Sequence, residues 1–167
     1  QELIYFAEKF PRWRFVVLDP AVPMLDVCRR KAAHAGITSR CLFHAGYLDS
    51  LPPLDAFDAA TSFLVSQFIL SPQARTEFFR EIAVRLRPGG YLVTADLASD
   101  LASANYQQLL AIWLRLMRET GSTPEQIEKL REAHGRDVAL VPGEQVSAMI
   151  VAAGFEPPVQ FLQTILI

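Results

Sequence analysis

The chain has 167 residues, 51% of them hydrophobic and 20% charged, with a formal net charge of −2. Length and composition fit one ordinary globular domain, large enough to bury a core without disulfides or metals. The near-neutral balance offers no basic surface for nucleic acid or an anionic membrane, no apolar run is long enough to span a bilayer, and no signal peptide is evident. Cys28 and Cys41 read as small core residues in a reducing compartment, since no metal-ligand spacing accompanies them. The basic run Arg29-Arg30-Lys31 reads as a solvated helix face.

In chain order, a helix is expected over residues 2–9, stopping before Pro11, and a strand over 14–18. A helix over 22–35 places Met24, Leu25, Cys28, Ala32 and Ala35 near one face, with Pro23 in its first turn and Gly36 at its end. A short strand over 40–45 leads into the loop Gly46-Tyr47-Leu48-Asp49-Ser50-Leu51-Pro52-Pro53, then a strand over 57–64. A helix over 73–86 turns Phe78, Phe79, Ile82, Ala83 and Leu86 inward. Pro88-Gly89-Gly90 reads as a sharp turn before a strand over 90–96, because proline stops a helix and glycine reverses the chain freely. Strict helix–strand alternation and near-continuous apolar strands predict a parallel sheet with helices on both faces.

The pattern then changes. Residues 101–119 form a helix that is apolar on more than one face, so it sits between layers or covers a pocket. A polar helix over 124–134 follows Ser122-Thr123, and a helix over 143–153 ends at Gly154. Residues 155–167 read as a strand and the start of its hairpin partner. The chain opens already helical at Gln1 and closes on Thr164-Ile165-Leu166-Ile167, so residues are expected to be missing at both ends.

Ligands of such a sheet bind beyond the carboxyl ends of its strands. Asp19 ends the strand at 14–18; it is placed to accept hydrogen bonds from a ribose diol, or to cap the next helix. Met24 can pack on an adenine face or in the core. Gly46, Tyr47 and Leu48 form either the opposite wall or an ordinary turn. Ser62 and Phe63 end the strand at 57–64. Asp96 either orients a substrate or caps the following helix. Tyr106 and Trp113 lie on the 101–119 helix and either line a substrate pocket or, better for Trp113, pack in the core. His44 reads as a satisfied interior histidine, and His34 and His134 as surface residues at helix ends.

These residues resemble the class I S-adenosylmethionine-dependent methyltransferases. Phe15-Val16-Val17-Leu18-Asp19-Pro20-Ala21-Val22-Pro23-Met24-Leu25 is similar to their second strand and following helix. Gly46-Tyr47-Leu48-Asp49-Ser50-Leu51-Pro52 resembles the loop after their third strand, and Phe57-Asp58-Ala59-Ala60-Thr61-Ser62-Phe63-Leu64 their fourth strand. Leu86-Arg87-Pro88-Gly89-Gly90-Tyr91-Leu92 is similar to the turn before their fifth. The resemblance covers residues 1–97 and, more weakly, 143–167.

It implies an α/β fold: a doubly wound, Rossmann-like, mostly parallel sheet with helices on both faces and an antiparallel C-terminal hairpin strand, the first and last strands missing or cut short. It implies one domain over 1–167, with 98–141 as a helical insertion that covers the substrate. The cofactor implied is S-adenosyl-L-methionine, with S-adenosyl-L-homocysteine (SAH) as product. Asp19 would bind the ribose hydroxyls, and Pro20 and Met24 would border the adenine. Gly46, Tyr47 and Leu48 would lie on its other side, and Ser62 and Phe63 would approach the methionine moiety. No metal and no catalytic residue is assigned, since a sulfonium is already a good leaving group.

Three departures qualify the match. No glycine precedes Gly36, so the family's glycine-rich loop would lie upstream of Gln1. Tyr47 stands where the family often has an Asp that binds the adenine amino group. Ser62-Phe63-Leu64-Val65 replaces the Asn/Asp-Pro-Pro-Tyr/Phe motif of nucleic-acid and glutamine methylases, which disfavours base methylation. The expected partner is a small-molecule methyl acceptor, with a homodimer as candidate assembly, a cytoplasmic location, and neither a membrane nor nucleic acid. Three other readings stay open: a carboxy-S-adenosylmethionine synthase of tRNA modification, a non-catalytic scaffold of the same fold, and an NAD-dependent oxidoreductase.

Overall fold

The structure is a computed structural model that describes residues 1–134 and 136–167. The chain falls into two compact units, Gln1–Leu54 and Asp55–Ile167.

The first unit contains α1 (Glu2–Lys9), β1 (Phe15–Asp19), α2 (Val22–His34) and β2 (Cys41–Ala45). β1 and β2 pair in parallel, from Phe15 opposite Cys41 to Asp19 opposite Ala45. A parallel pair needs a crossover, and α2 supplies it. Pro23 starts that helix where its missing N–H costs nothing. Gly36, at φ +69°, ends it. The Gly36 and Ile37 amides donate to the Ala33 and Ala32 carbonyls, both at 3.0 Å, which satisfies two orphan acceptors of the last turn.

Ala7, Ala32 and Ile37 form this unit's core, against Leu3, Ile4, Phe15, Cys41 and Phe43. Arg40 holds the end of α1. Its guanidinium donates to the carbonyls of Ala7 at 3.0 Å, Phe10 at 3.2 Å, Pro11 at 3.0 Å and Trp13 at 3.2 Å. Those carbonyls lie at the helix terminus and its exit loop, where intrahelical partners run out; the Phe10 carbonyl also accepts from the Trp13 amide at 3.1 Å.

The second unit contains β3 (Phe57–Phe63), α3 (Pro72–Ala83), β4 (Leu86–Ala95), α4 (Ala104–Glu119), α5 (Pro124–Ala133) and α6 (Gly143–Ala152). β3 and β4 are also parallel, with Ser62 opposite Thr94 and Phe63 opposite Ala95. α3 is their crossover; Ser71 caps it by accepting from the Ala74 amide at 3.3 Å.

The expected Pro-Gly-Gly turn is instead a bulge inside β4. Leu86 already pairs with Phe57 and Tyr91 with Ala59, so Arg87, Pro88, Gly89 and Gly90 all fit opposite Asp58. A strand absorbs extra residues this way at the cost of a local kink. Gly89 takes φ +76°. A Cβ on Gly90 would lie 3.0 Å from the Arg87 carbonyl oxygen and 3.2 Å from that of Asp58, so only glycine fits without displacing backbone.

α4 begins at Ala104, later than expected, because Ser103 caps it by accepting from the Tyr106 amide at 3.1 Å. It is amphipathic: Tyr106, Leu110 and Leu114 are buried against Leu97, Ile127, Val138, Leu140 and Leu166. Ile112 and Leu116 are exposed, so the helix is not sandwiched between layers. Thr123 and Gln126 close α5's first turn with a reciprocal capping box.

The C-terminal hairpin is not formed. Residues 155–164 enter no ladder, and Val159, Phe161 and Leu162 are exposed. Pro157 and Pro158 have no amide to donate to a ladder. Here the Ala98 amide donates to the Leu166 carbonyl at 2.8 Å, and Thr164 and Ile167 bond each other across a turn.

Candidate functional site

In the first unit the parallel register brings the ends of β1 and β2 together. The Gly46 amide donates to the Asp19 carbonyl at 3.3 Å. One carboxylate oxygen of Asp19, Oδ1, accepts from the Ala21 amide at 2.7 Å; the other takes no hydrogen bond from the described residues. Asp19 therefore does local work at the start of α2 and still offers an acceptor. Pro20 is exposed, Met24 is 62% exposed and Tyr47 is 70% exposed, so neither Met24 nor Tyr47 is a core residue.

Leu48 opens a one-turn 3-10 helix, Leu48–Ser50, that fixes the loop. The Ser50 hydroxyl donates to the Tyr47 carbonyl at 2.7 Å and lies 2.9 Å from His44 Nε2. A hydroxyl has one proton to give, so His44 donates from Nε2. A Cβ on Gly46 would lie 2.4 Å from Ser50 Oγ and 2.9 Å from His44 Nε2. A side chain at position 46 would therefore displace the Ser50–His44 pair packed against it.

In the second unit Ser62 is 4% exposed, and its hydroxyl is buried without a partner. Such a group costs about 1–3 kcal/mol unless something pairs with it. Phe63 follows, partly exposed. Leu64 then takes φ +58°, a conformation that costs a non-glycine residue about 1–2 kcal/mol. Its amide donates to the Ala95 carbonyl at 2.7 Å.

Beyond it lies a buried polar cluster that the sequence reading missed. Asp96 Oδ1 accepts from Ser66 Oγ at 2.8 Å and from the Gln67 amide at 3.1 Å. Arg75 Nε donates to Ser66 Oγ at 2.7 Å, and Arg75 Nη2 lies 3.5 Å from Asp96 Oδ1. Gln67 Oε1 accepts from the Leu97 amide at 2.7 Å. Burial pulls the Arg75 guanidinium below its ordinary value, and Asp96 pushes it back. Asp96 is therefore engaged by this cluster and does not cap α4, a role that Ser103 holds. The overlooked signal was position: Arg75, Phe79 and Ile82 are the buried residues of α3, at i, i+4 and i+7.

Tyr106, Trp113 and His134 form a second cluster. Tyr106 is buried, and its hydroxyl lies 3.0 Å from His134 Nδ1. The Trp113 ring stacks on the His134 ring, with centroids 5.3 Å apart and planes at 10°. His134 is thus packed against α4 and not a surface residue; a helix-end position concealed this. Burial lowers its pKa and raises that of Tyr106. His34 is exposed, as expected at a helix end. A cavity of about 410 Å³ is lined by Met117, Ser122, Gln126, Lys129 and Leu130, none of them an expected site residue. Among the described residues no group of three or more His, Cys, Asp or Glu could hold a metal ion, and no helix is long and apolar enough to cross a membrane.

A family model described as a methyltransferase domain matches residues 1–90, more than half of the chain. The chain belongs to the methyltransferase domain family. Its α/β architecture with parallel strand pairs is that of the Rossmann-like class I fold.

No curated protein sequence matches it, but solved structures do. The apo form of SibL, an S-adenosylmethionine-dependent methyltransferase, shares 21% identity at a TM-score of 0.63, over 92% of this chain and 40% of that one. An O-methyltransferase family 2 protein from Planctomyces limnophilus, in complex with apigenin, shares 17% identity at 0.62, over 90% and 39%. PigF with SAH shares 13% identity at 0.64, over 92% and 41%. The chain spans about two-fifths of the length of each. At these identities the likeness shows the fold.

Proposed function

We propose that this methyltransferase domain serves an enzyme that moves a methyl group from S-adenosylmethionine to a small-molecule acceptor by in-line displacement. The observation that supports it most is Asp19: a carboxylate at the end of a parallel strand, with one oxygen tied to the Ala21 amide and the other available. A ribose diol needs that kind of acceptor.

Pro20 and the exposed Met24 are proposed to border the adenine, with Gly46, Tyr47 and Leu48 on its other side. Ser62 and Phe63 are proposed to meet the methionine portion, where the orphaned Ser62 hydroxyl would gain a partner. When bound, the cofactor supplies an electrophilic methyl on a sulfonium leaving group. The residues of this chain then have only to hold the reactants in line and exclude water. Residues 98–141 are proposed to select the acceptor, and no general base is assigned. A net charge of −2 supports a small acceptor over nucleic acid. A cytoplasmic location and a homodimer belong to the same proposal; light scattering of the intact protein tests the second.

Among the described residues Arg75 is the buried arginine, and it is committed to Asp96 and Ser66. That leaves no buried arginine for the extra carboxylate of a carboxy-S-adenosylmethionine synthase. The test is calorimetric titration of the intact protein with S-adenosylmethionine. Saturable binding that SAH displaces is expected, and no heat of binding at millimolar cofactor would sink the proposal.

A further inference from the structure

The segment after β3 has its polarity reversed. Ser66 and Gln67 are buried, whereas Leu64, Val65, Phe68 and Leu70 are exposed. Apolar burial therefore does not hold Leu64 at φ +58°; Leu64 itself is 41% exposed. A strained residue persists only where its surroundings over-determine it, and here the surroundings are polar. Ser66 and Gln67 are drawn inward by Asp96, and Asp96 by Arg75. The hold also reaches the segment after α5: the Ala139 amide donates to the Gln67 carbonyl at 2.8 Å, and Arg75 Nη1 donates to the Ala139 carbonyl at 3.2 Å. Thr94, opposite Ser62 in the sheet, completes the cluster. Its hydroxyl lies 2.9 Å from the Ser62 carbonyl and 3.1 Å from Asp96 Oδ2. Asp96 thus ties Ser66 and Gln67, a few residues after Ser62, to Thr94 beside Ser62 in the sheet.

We propose that Asp96 and Arg75 are positioning residues for methyl transfer: through Ser66 and Gln67 they hold the strained backbone at Leu64 and so fix Ser62 and Phe63 at the end of β3. The inference rests on the reading that those two residues meet the methionine portion of the cofactor. Neither Asp96 nor Arg75 need touch a ligand. The same cluster ties Ala139, within the segment proposed to choose the acceptor, to Gln67 and Arg75.

The experiment compares SAH affinity, thermal midpoint and hydrogen exchange over residues 63–68 in the intact wild-type protein and in Asp96→Asn, Ser66→Ala and Leu64→Gly. Asp96→Asn and Ser66→Ala should lower the midpoint, speed exchange over 63–68 at least tenfold and weaken SAH at least fivefold. Leu64→Gly separates positioning from stability, because glycine adopts positive φ freely. Its midpoint should stay within about 2 °C of wild type or rise, and its SAH affinity should stay within twofold of wild type, because the cluster that holds the backbone is intact. If wild type binds SAH and Asp96→Asn and Ser66→Ala both bind within twofold of it, the inference is overturned and the proposed function stands. If wild type does not bind SAH, the proposed function fails and takes the inference with it.

Discussion

The two strand ends are built in opposite ways. At the end of β1 and β2 the expected residues stand in the open: Met24 and Tyr47 are exposed, and Asp19 is fixed by one short-range hydrogen bond. At the end of β3 and β4 the groups that matter are buried, and their partners lie far apart in sequence. Asp96 is reached from Ser66, Gln67 and Arg75. The first end should lose its exposed side chains at little cost to its fold. The second cannot lose a member of its cluster so easily, because a buried charge left unpaired is costly.

That contrast can be broken by substitution. Arg75→Met should have the largest effect, destabilising by about 3–5 kcal/mol by stranding Asp96 in the core; urea denaturation measures it. A loss under about 1 kcal/mol would show that the buried pair is not what holds this end. Arg40→Ala removes a charged donor shared by four carbonyls and should cost about 2 kcal/mol, with hydrogen exchange rising in α1 and not in α3. Asp19→Ala should cost only about 1 kcal/mol, the worth of a helix-start acceptor, while weakening SAH by about tenfold or more.

The smallest effect concerns pH. His134 has its pKa lowered by burial from its ordinary 6.5. The unfolded chain therefore takes up this proton first as pH falls. The contribution of neutral His134 is fully present above about 6.5 and is lost as pH drops through the folded value. His134→Gln should flatten that limb of the stability–pH curve, as followed by thermal melts between pH 7.5 and 5. A mutant curve parallel to wild type would assign the limb to other groups.

Much of the fold could be read from pattern because its signals are local. Pro23 and Gly36 bracket α2, and the apolar runs at 15–18 and 57–63 became parallel strands. Three features could not be read, each for a physical reason. Pro88-Gly89-Gly90 looks like a turn in one dimension, and only the pairing of Leu86 with Phe57 turns it into a bulge. Residues 155–164 look like a strand from their apolar residues, but Pro157 and Pro158 have no amide to give a ladder, and the segment pairs with no strand among the described residues. The Ser66–Gln67–Arg75–Asp96 cluster is invisible to any rule that sends polar residues outward; its members bury one another. Asp19, Gly46, Tyr47, Ser62 and Phe63 do lie at strand ends, as the order of elements required. The burial that makes Ser62 notable had no counterpart in the sequence, because a serine at a strand end reads the same whether its hydroxyl is paired or orphaned.

The measurement that bears most directly on the account is calorimetric titration of SAH into the intact wild-type protein and its Asp19→Ala variant, alongside their unfolding midpoints. Saturable binding by wild type is expected, with a loss of about tenfold or more in the variant and midpoints that differ by only a few degrees. Equal affinities in the two proteins would contradict the role given to Asp19, and no binding by wild type would contradict the function itself.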